Sequence, residues 1–425
     1  VISKRKFINA VFVFSLPWYG VGTYLFAKEG FSIGLIFCTL PFLFILLFHG
    51  VDLLYRGGFT PVVNGTFYIC CAALLSGMLS VPLGLHFGSP MLNPWNTVIL
   101  MIFICVPFLA AVVVQTYNMG EYRSDFTWMV VKGLMALLVV NILGYAGGLR
   151  NLMHSFSGRI SLPFTLGIYD AAHIFAFMNL VLLGFFHDFK ARPIRFIGLL
   201  ILYIVNLIIM ISINSRLSIM IFFVLTILFL SKSVKSVKGI FVISLFTMPI
   251  ITNFALLIYK ILTLPFFATI LDRVSKKDVT TFNGRTYIWD AAAEWVMHDR
   301  RGLLLGNGFN GQYHLKILER VAKLWGETGS YRLHMHSAFL EILVDQGVVG
   351  LSLMYLMYWR GYIYYRQQYI QGTSMGPLYA GFVYLLFAWQ IDIFGYAYNT
   401  GFLLIFMLMA PIAVKPSLPA SITVR

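Results

Sequence analysis

The sequence predicts an all-α polytopic membrane protein of about twelve transmembrane helices, with one large helical loop between the ninth and the tenth. Three observations carry that reading. Of the 425 residues, 59% are hydrophobic and only 11% charged, with a mean hydropathy of +0.83, a balance that a water-soluble chain of this length does not show. The apolar residues are gathered into runs of roughly 20, the length that crosses a hydrocarbon core of about 30 Å. Lysine and arginine are spread unevenly over the connecting loops, as the positive-inside rule requires.

The spans follow in order. The first, about 7–27, comes directly after Lys4, Arg5 and Lys6, so this start reads as a membrane helix and no cleavable signal peptide is expected. Spans two to five, about 31–49, 61–83, 96–115 and 127–147, are joined by short loops. Cys38, Cys70, Cys71 and Cys105 lie inside these apolar runs without metal-ligand spacing to histidine, and read as packing residues. Spans six to nine are placed at about 168–186, 193–213, 217–231 and 239–262, the eighth being short. Spans ten to twelve are placed at about 338–358, 376–395 and 399–414. The chain thus divides into a first membrane part, 1–262, a large loop, 263–337, and a second membrane part, 338–425.

An even number of spans puts both termini on one side. Loops on that side carry Lys4, Arg5, Lys6, Arg56, Arg123, Lys190, Arg192, Arg195, Lys232, Lys235, Lys238, Arg360, Arg366, Lys415 and Arg425. The opposite short loops carry only Lys28, Arg150, Arg159 and Arg216, so the expected topology is N-in and C-in with the large loop outside. The formal net charge of +15 suits anionic lipid headgroups better than nucleic acid, because the bases are scattered over short loops beside aromatic residues. Within the large loop, "RTYIWDAAAEWVMHD" and "GQYHLKILERVAKLWG" have helical periodicity.

A charge at membrane depth is costly and marks a path or a site. On the outer side, Arg216 sits in a tight turn between two strongly apolar runs, where its planar fork can hold a phosphate or snorkel to headgroups. Arg285 opens a predicted helix after an Asn-Gly turn, a position that favours an anion; a surface salt bridge to Asp290 is the plainer reading. The glycine-rich "RRGLLLGNGFNG" lacks the lysine ending of a nucleotide-binding P-loop. His336 stands where the large loop meets the tenth span and can serve as a helix-start residue or as a general base. Glu341 and Asp345 share a helix face directed into the bundle and read as structural hydrogen-bonding groups. Arg159, Asp170 and Arg332 are second-tier residues for the same cavity. No metal and no other cofactor is expected, since His334 and His336 lack a third ligand in sequence.

These residues resemble the O-antigen ligase and polymerase superfamily. His336-Ser337, nine residues, Gly347, two residues and Gly350 match the pattern of the ligases, and "NGRTYIWDAAAEW" with "LLLGNGFNG" and "NSRLSIMI" are similar to the loop and arginine motifs of the superfamily. Ser337 stands where many relatives have asparagine. The arginine, ten residues, glycine form of the polymerases is absent at Arg285 and Arg159, which favours a ligase. The resemblance implies a GT-C-like, inner-membrane glycosyltransferase with its active site facing the periplasm. Such an enzyme transfers a glycan from undecaprenyl pyrophosphate to lipid A-core, metal-independently and with inversion; a polymerase would use a second lipid-linked glycan as acceptor. Carried over, His336 would be the base, and Arg216 and Arg285 would hold the pyrophosphate. A transporter of lipid-linked sugars is the more distant alternative, for which no inverted repeat is evident.

Overall fold

The computed structural model describes residues 3–56, 61–119, 122, 125–152, 160–189, 192–231, 239–247, 284–327, 329–330 and 333–415. Among them the architecture is all-helical, with only one isolated β-bridge, between Val63 and Val414. Among the described residues, eight helices are long and apolar enough to cross a membrane; most of the ninth expected span, 248–262, lies outside them. The first seven are α1 (Lys4–Glu29), α2 (Phe31–Arg56), α3 (Gly65–His86), α4 (Pro94–Tyr117), α5 (Asp125–Ala146), α6 (Ile168–Phe189) and α7 (Pro193–Ile213). A shorter α8 (Arg216–Leu230) and the turn-length α9 (Ile240–Leu245) follow. The outer-loop sequence holds α10 (Arg285–His298), α11 (Gly311–His314) and α12 (Glu319–Leu324). The eighth long helix is α13 (Ala338–Ile370), and the chain closes with α14 (Leu378–Ile391), a 3-10 turn (Ile393–Gly395) and α15 (Thr400–Ala413).

Local chemistry sets where these helices begin. Asn64 caps α3 by accepting from the Thr66 N–H at 2.8 Å, and Asn93 caps α4 in the same way through Asn96, with Pro94 at the first helical position. Asn214, in the left-handed region at φ 56°, ends α7 and turns the chain at once into α8. At the end of the bundle nearest the N-terminus, Asp52 joins α1, α2 and α4 by pairing with Lys4 and accepting from the Tyr117 hydroxyl at 2.9 Å. Arg5 pairs with Asp125 at 2.9 Å and ties α5 to the same end.

The last three expected spans differ in form. The tenth continues to Ile370, well past the predicted end, and is kinked at Gly347 (φ 69°). The eleventh stops at Ile391, because Asp392 takes extended backbone angles and its carboxylate accepts from the Ile393 N–H at 2.8 Å. With 14 residues each, α14 and α15 reach only about 21 Å, less than the hydrocarbon thickness of about 30 Å. The irregular backbone between them is buried in protein together with both helices, the condition under which non-helical backbone is tolerated within a membrane. The second predicted loop helix is also broken: Lys316 adopts φ 56°, and the bonds from Ile317 N–H to the Gln312 carbonyl and from Lys316 N–H to the Tyr313 carbonyl form a Schellman-type stop.

The kink at Gly347 interrupts the backbone ladder of α13, and a loop completes it. Val344 O accepts from Asn307 N at 2.9 Å, and Asp345 O accepts from Gly308 N at 3.0 Å. In the other direction, Val348 N donates to Leu303 O at 2.8 Å and Val349 N to Leu304 O at 3.2 Å. The approach is so close that a Cβ on Gly306 would fall 2.2 Å from Asp345 O, and one on Gly308 would fall 2.4 Å from the Gly84 nitrogen of α3.

Gly306 and Gly88 both have positive φ, yet Gly88 has open space around it. Gly88→Ala is therefore expected to cost only about 1–2 kcal/mol of backbone strain. Gly306→Ala must also expel the helix backbone, and thermal unfolding in detergent should show a much larger loss for it than for Gly88→Ala.

Candidate active site

Asp392, which the sequence reading passed over, is the centre of the site. It is buried in the turn after α14, and its Oδ2 accepts from Arg285 Nη2 at 3.1 Å. The ring of His173, on the first turns of α6, places Nε2 3.4 Å from the same oxygen. Arg285 Nη1 also donates to the Ile391 carbonyl, and its guanidinium lies 5.3 Å from the centroid of the Tyr169 ring. One guanidinium and one imidazole thus approach the same buried carboxylate oxygen.

The other wall comes from the start of α8. Ser215 Oγ lies 2.9 Å from Ser218 Oγ, and Ser218 Oγ lies 3.3 Å from His173 Nδ1, which also meets the Tyr384 hydroxyl at 2.6 Å. Arg216 is the first residue of that helix and is half-buried. Neither Ser215 before α8 nor Gly284 before α10 supplies a side-chain cap. Two helix starts, each led by an arginine, thus converge on one buried carboxylate through the Ser218–His173 contact and the Arg285 ion pair.

His336 enters from α13. Its backbone is left-handed (φ 48°), an uncommon conformation for a non-glycine residue that persists only where neighbours impose it. Here they do so on both sides. The Met335 carbonyl accepts from Trp289 Nε1 at 3.2 Å, and the Met335 N–H donates to Glu341 Oε1 at 2.6 Å. The His336 N–H donates to His334 Nδ1 at 3.1 Å. On the following side, Ser337 caps α13 by accepting from Leu340 N–H at 3.3 Å, and Ala338 N–H donates to the Asp392 carbonyl at 2.9 Å. The strained histidine is thereby fastened to the same residue that holds Arg285.

The motif residues around His336 acquire physical roles. Ser337 is an N-cap, a position suited equally to asparagine. Gly347 makes the kink, and Gly350 lets α13 close on α3, where a Cβ would meet Ser76 Oγ at 2.7 Å. Asp345 accepts from Gly311 N–H at 2.8 Å, from Asn310 N–H at 3.1 Å and from the Tyr396 hydroxyl, so it fastens the glycine-rich loop and does not face the site as a reactive group. Glu341 orders Met335, as above.

Of the second-tier residues, Asp170 is buried near the start of α6, where its Oδ2 accepts from the Thr400 hydroxyl at 2.8 Å and from Leu166 N–H at 3.2 Å. It is bonded toward α15 rather than to Arg285. Arg159 and Arg332 lie outside the described residues. Arg285 pairs with Asp392, not with Asp290 as the plainer sequence reading had it. Among the described residues, no group of three or more histidine, cysteine or acidic side chains is placed to hold a metal ion. The signal for Asp392 was available: it is an acidic residue within an apolar run, the kind of intramembrane charge that marks a site. Nothing local in the sequence pairs it with Arg285 or His173.

The described residues form an all-helical polytopic membrane protein with a buried site where Arg285, His173 and Asp392 meet. Residues 199–355 match the family described as O-antigen ligase, and this part of the chain is similar to that family. No curated protein and no solved structure matches the chain. The matched region contains Arg216, Arg285, His336, Gly347 and Gly350, while Asp392 and His173 lie outside it.

Removing Asp392 strands a buried guanidinium, which typically costs about 3–5 kcal/mol. Asp392→Ala should therefore lower the unfolding temperature strongly, and Arg285→Ala with Asp392→Ala should lower it by less than the two single changes added together. Additive losses in a double-mutant cycle would mean that the pair is not coupled.

Proposed function

We propose that this protein is an inner-membrane O-antigen ligase whose active site faces the periplasm. In this reading it transfers a glycan from undecaprenyl pyrophosphate to a sugar hydroxyl of lipid A-core, by metal-independent, inverting transfer. The observation that carries the proposal is His336, in a strained backbone conformation two residues before Ala338, whose N–H is bonded to the Asp392 carbonyl, with Arg285 on the Asp392 carboxylate and the Arg216 helix start joined to it through Ser218 and His173. Strain maintained by so many surrounding contacts is a mark of a working site.

The residues divide the reaction between them. His336 removes the proton from the acceptor hydroxyl as its oxygen attacks the anomeric carbon. The bond from that carbon to the pyrophosphate oxygen breaks, and the growing negative charge falls to Arg216 and Arg285, assisted by the N–H groups at the starts of α8 and α10. These fixed cations supply the charge stabilisation that a metal would otherwise give. Arg285 uses only part of its guanidinium on Asp392 and Ile391, and its fork retains further donors for phosphate oxygens. Asp392 keeps Arg285 and His173 in place without touching the substrate. Attack by one hydroxyl from the face opposite the leaving group inverts the anomeric centre.

The test is a reconstituted transfer assay in the presence of a metal chelator, with an undecaprenyl pyrophosphate glycan as donor and either lipid A-core or a second lipid-linked glycan as acceptor. Glycan appearing on lipid A-core supports the ligase; elongated lipid-linked chains would replace it with a polymerase. In either assay, His336→Ala should lower the rate by roughly 10²–10⁴. Arg216→Ala and Arg285→Ala should each lower it on the order of 10²–10³. Full activity in well-folded variants would remove these residues from the mechanism.

A further inference from the structure

The sequence places "RRGLLLGNGFNG" in a water-exposed loop, but its contacts put it elsewhere. Its backbone completes the broken ladder of α13 at Val344–Val349, and Phe309 N–H donates to the Ser80 carbonyl within α3 at 2.7 Å. The depth of that kink can be read from α3. Gly350 closes on Ser76, and Gly77 faces Gln346, so the kink is level with the middle of α3. At 1.5 Å per residue, this is roughly 15 Å inward from the His86 end.

Leu304 and Leu305 are nevertheless 64% and 72% exposed. Their neighbours Val348 and Val349 are also exposed, as are Leu75 and Leu79 on α3 at the same level. These residues continue the apolar surface that the spans present to lipid. Arg300 and Arg301, exposed and just upstream, are near enough to reach the headgroup layer, where cations meet lipid phosphates.

We infer that Gly302–Gly311 is a re-entrant segment whose Leu304 and Leu305 side chains contact the hydrocarbon chains of the bilayer. Irregular backbone is permitted at such depth where protein takes up its polar groups, and the Val344–Val349 exchange takes up the Leu303 and Leu304 carbonyls and the Asn307 and Gly308 N–H groups. The inference does not depend on the proposed reaction. It adds a lipid-contacting wall to a part of the chain that would otherwise count as an aqueous loop.

Site-directed spin labelling in liposomes of phosphatidylethanolamine and phosphatidylglycerol tests it without reading activity. Labels at Leu304→Cys and Leu305→Cys are compared with Leu79→Cys as the lipid-facing standard and with Met297→Cys, 70% exposed near the end of α10, as the water-facing standard. Signal from labelled unsubstituted protein, which retains its native cysteines, is subtracted. The expected result is that both positions collide readily with oxygen and poorly with a water-soluble nickel chelate, as Leu79→Cys does. Nickel collision rates nearer those of Met297→Cys at either position would overturn the inference. Because both side chains point away from the packed core, neither substitution removes a buried contact, and each position reports independently of the other.

Discussion

A helix broken inside a bilayer has to find hydrogen bonds for the backbone groups that the break leaves over, because lipid offers none. That constraint organises this protein. Gly347 breaks α13, and the carbonyls and N–H groups around it are taken up by Leu303, Leu304, Asn307 and Gly308. The loop cannot move away without exposing them. It is held a second time by Asp345, whose carboxylate receives Asn310 and Gly311 N–H groups. The glycines at 306 and 308 follow from this arrangement, since backbone meets backbone there with no room for a Cβ.

The same arrangement positions the site. With the kink secured, Ala338–Gln346 becomes a short rigid helical segment whose cap, Ser337, directly follows His336. Glu341 on that segment reaches back to Met335, and Ala338 is bonded to the Asp392 backbone. Two buried acids thus do structural work, while a third, Asp392, gathers charge. Its pairing with Arg285 is sustained at depth because the carboxylate is also approached by His173 and the guanidinium also bonds the Ile391 carbonyl, which offsets the desolvation of two buried ions. On the proposed function this pair is a fixed frame for a pyrophosphate rather than a reacting group.

On the same proposal, the chemistry that suits such a frame is departure of a polyanion. On the proposed function a lipid-linked donor would bring its leaving group to this frame, and preorganised cations would require no rearrangement as charge develops. The family match over residues 199–355 supports the ligase or polymerase class. The acceptor distinguishes the two, and none of the contacts around Asp392 depends on which acceptor arrives.

The sequence by itself determined the class. Long apolar runs, few charges and basic loops require a helical membrane protein, because backbone polar groups in lipid must be satisfied locally. It also brought out Arg216, Arg285 and His336, since isolated ionisable groups near apolar runs are conspicuous, and it read Glu341 and Asp345 as structural from their shared helix face. Tertiary structure alone decided their partners. Asp392 is more than 100 residues from Arg285 in the chain and more than 200 from His173, a pairing that no local spacing encodes. The kink at Gly347, the shortening of α14 at Asp392 and the docking of the glycine-rich loop on α13 and α3 depend on which backbones meet in space. A hydropathy pattern records how apolar each segment is, not which segment supplies the missing hydrogen bonds of another.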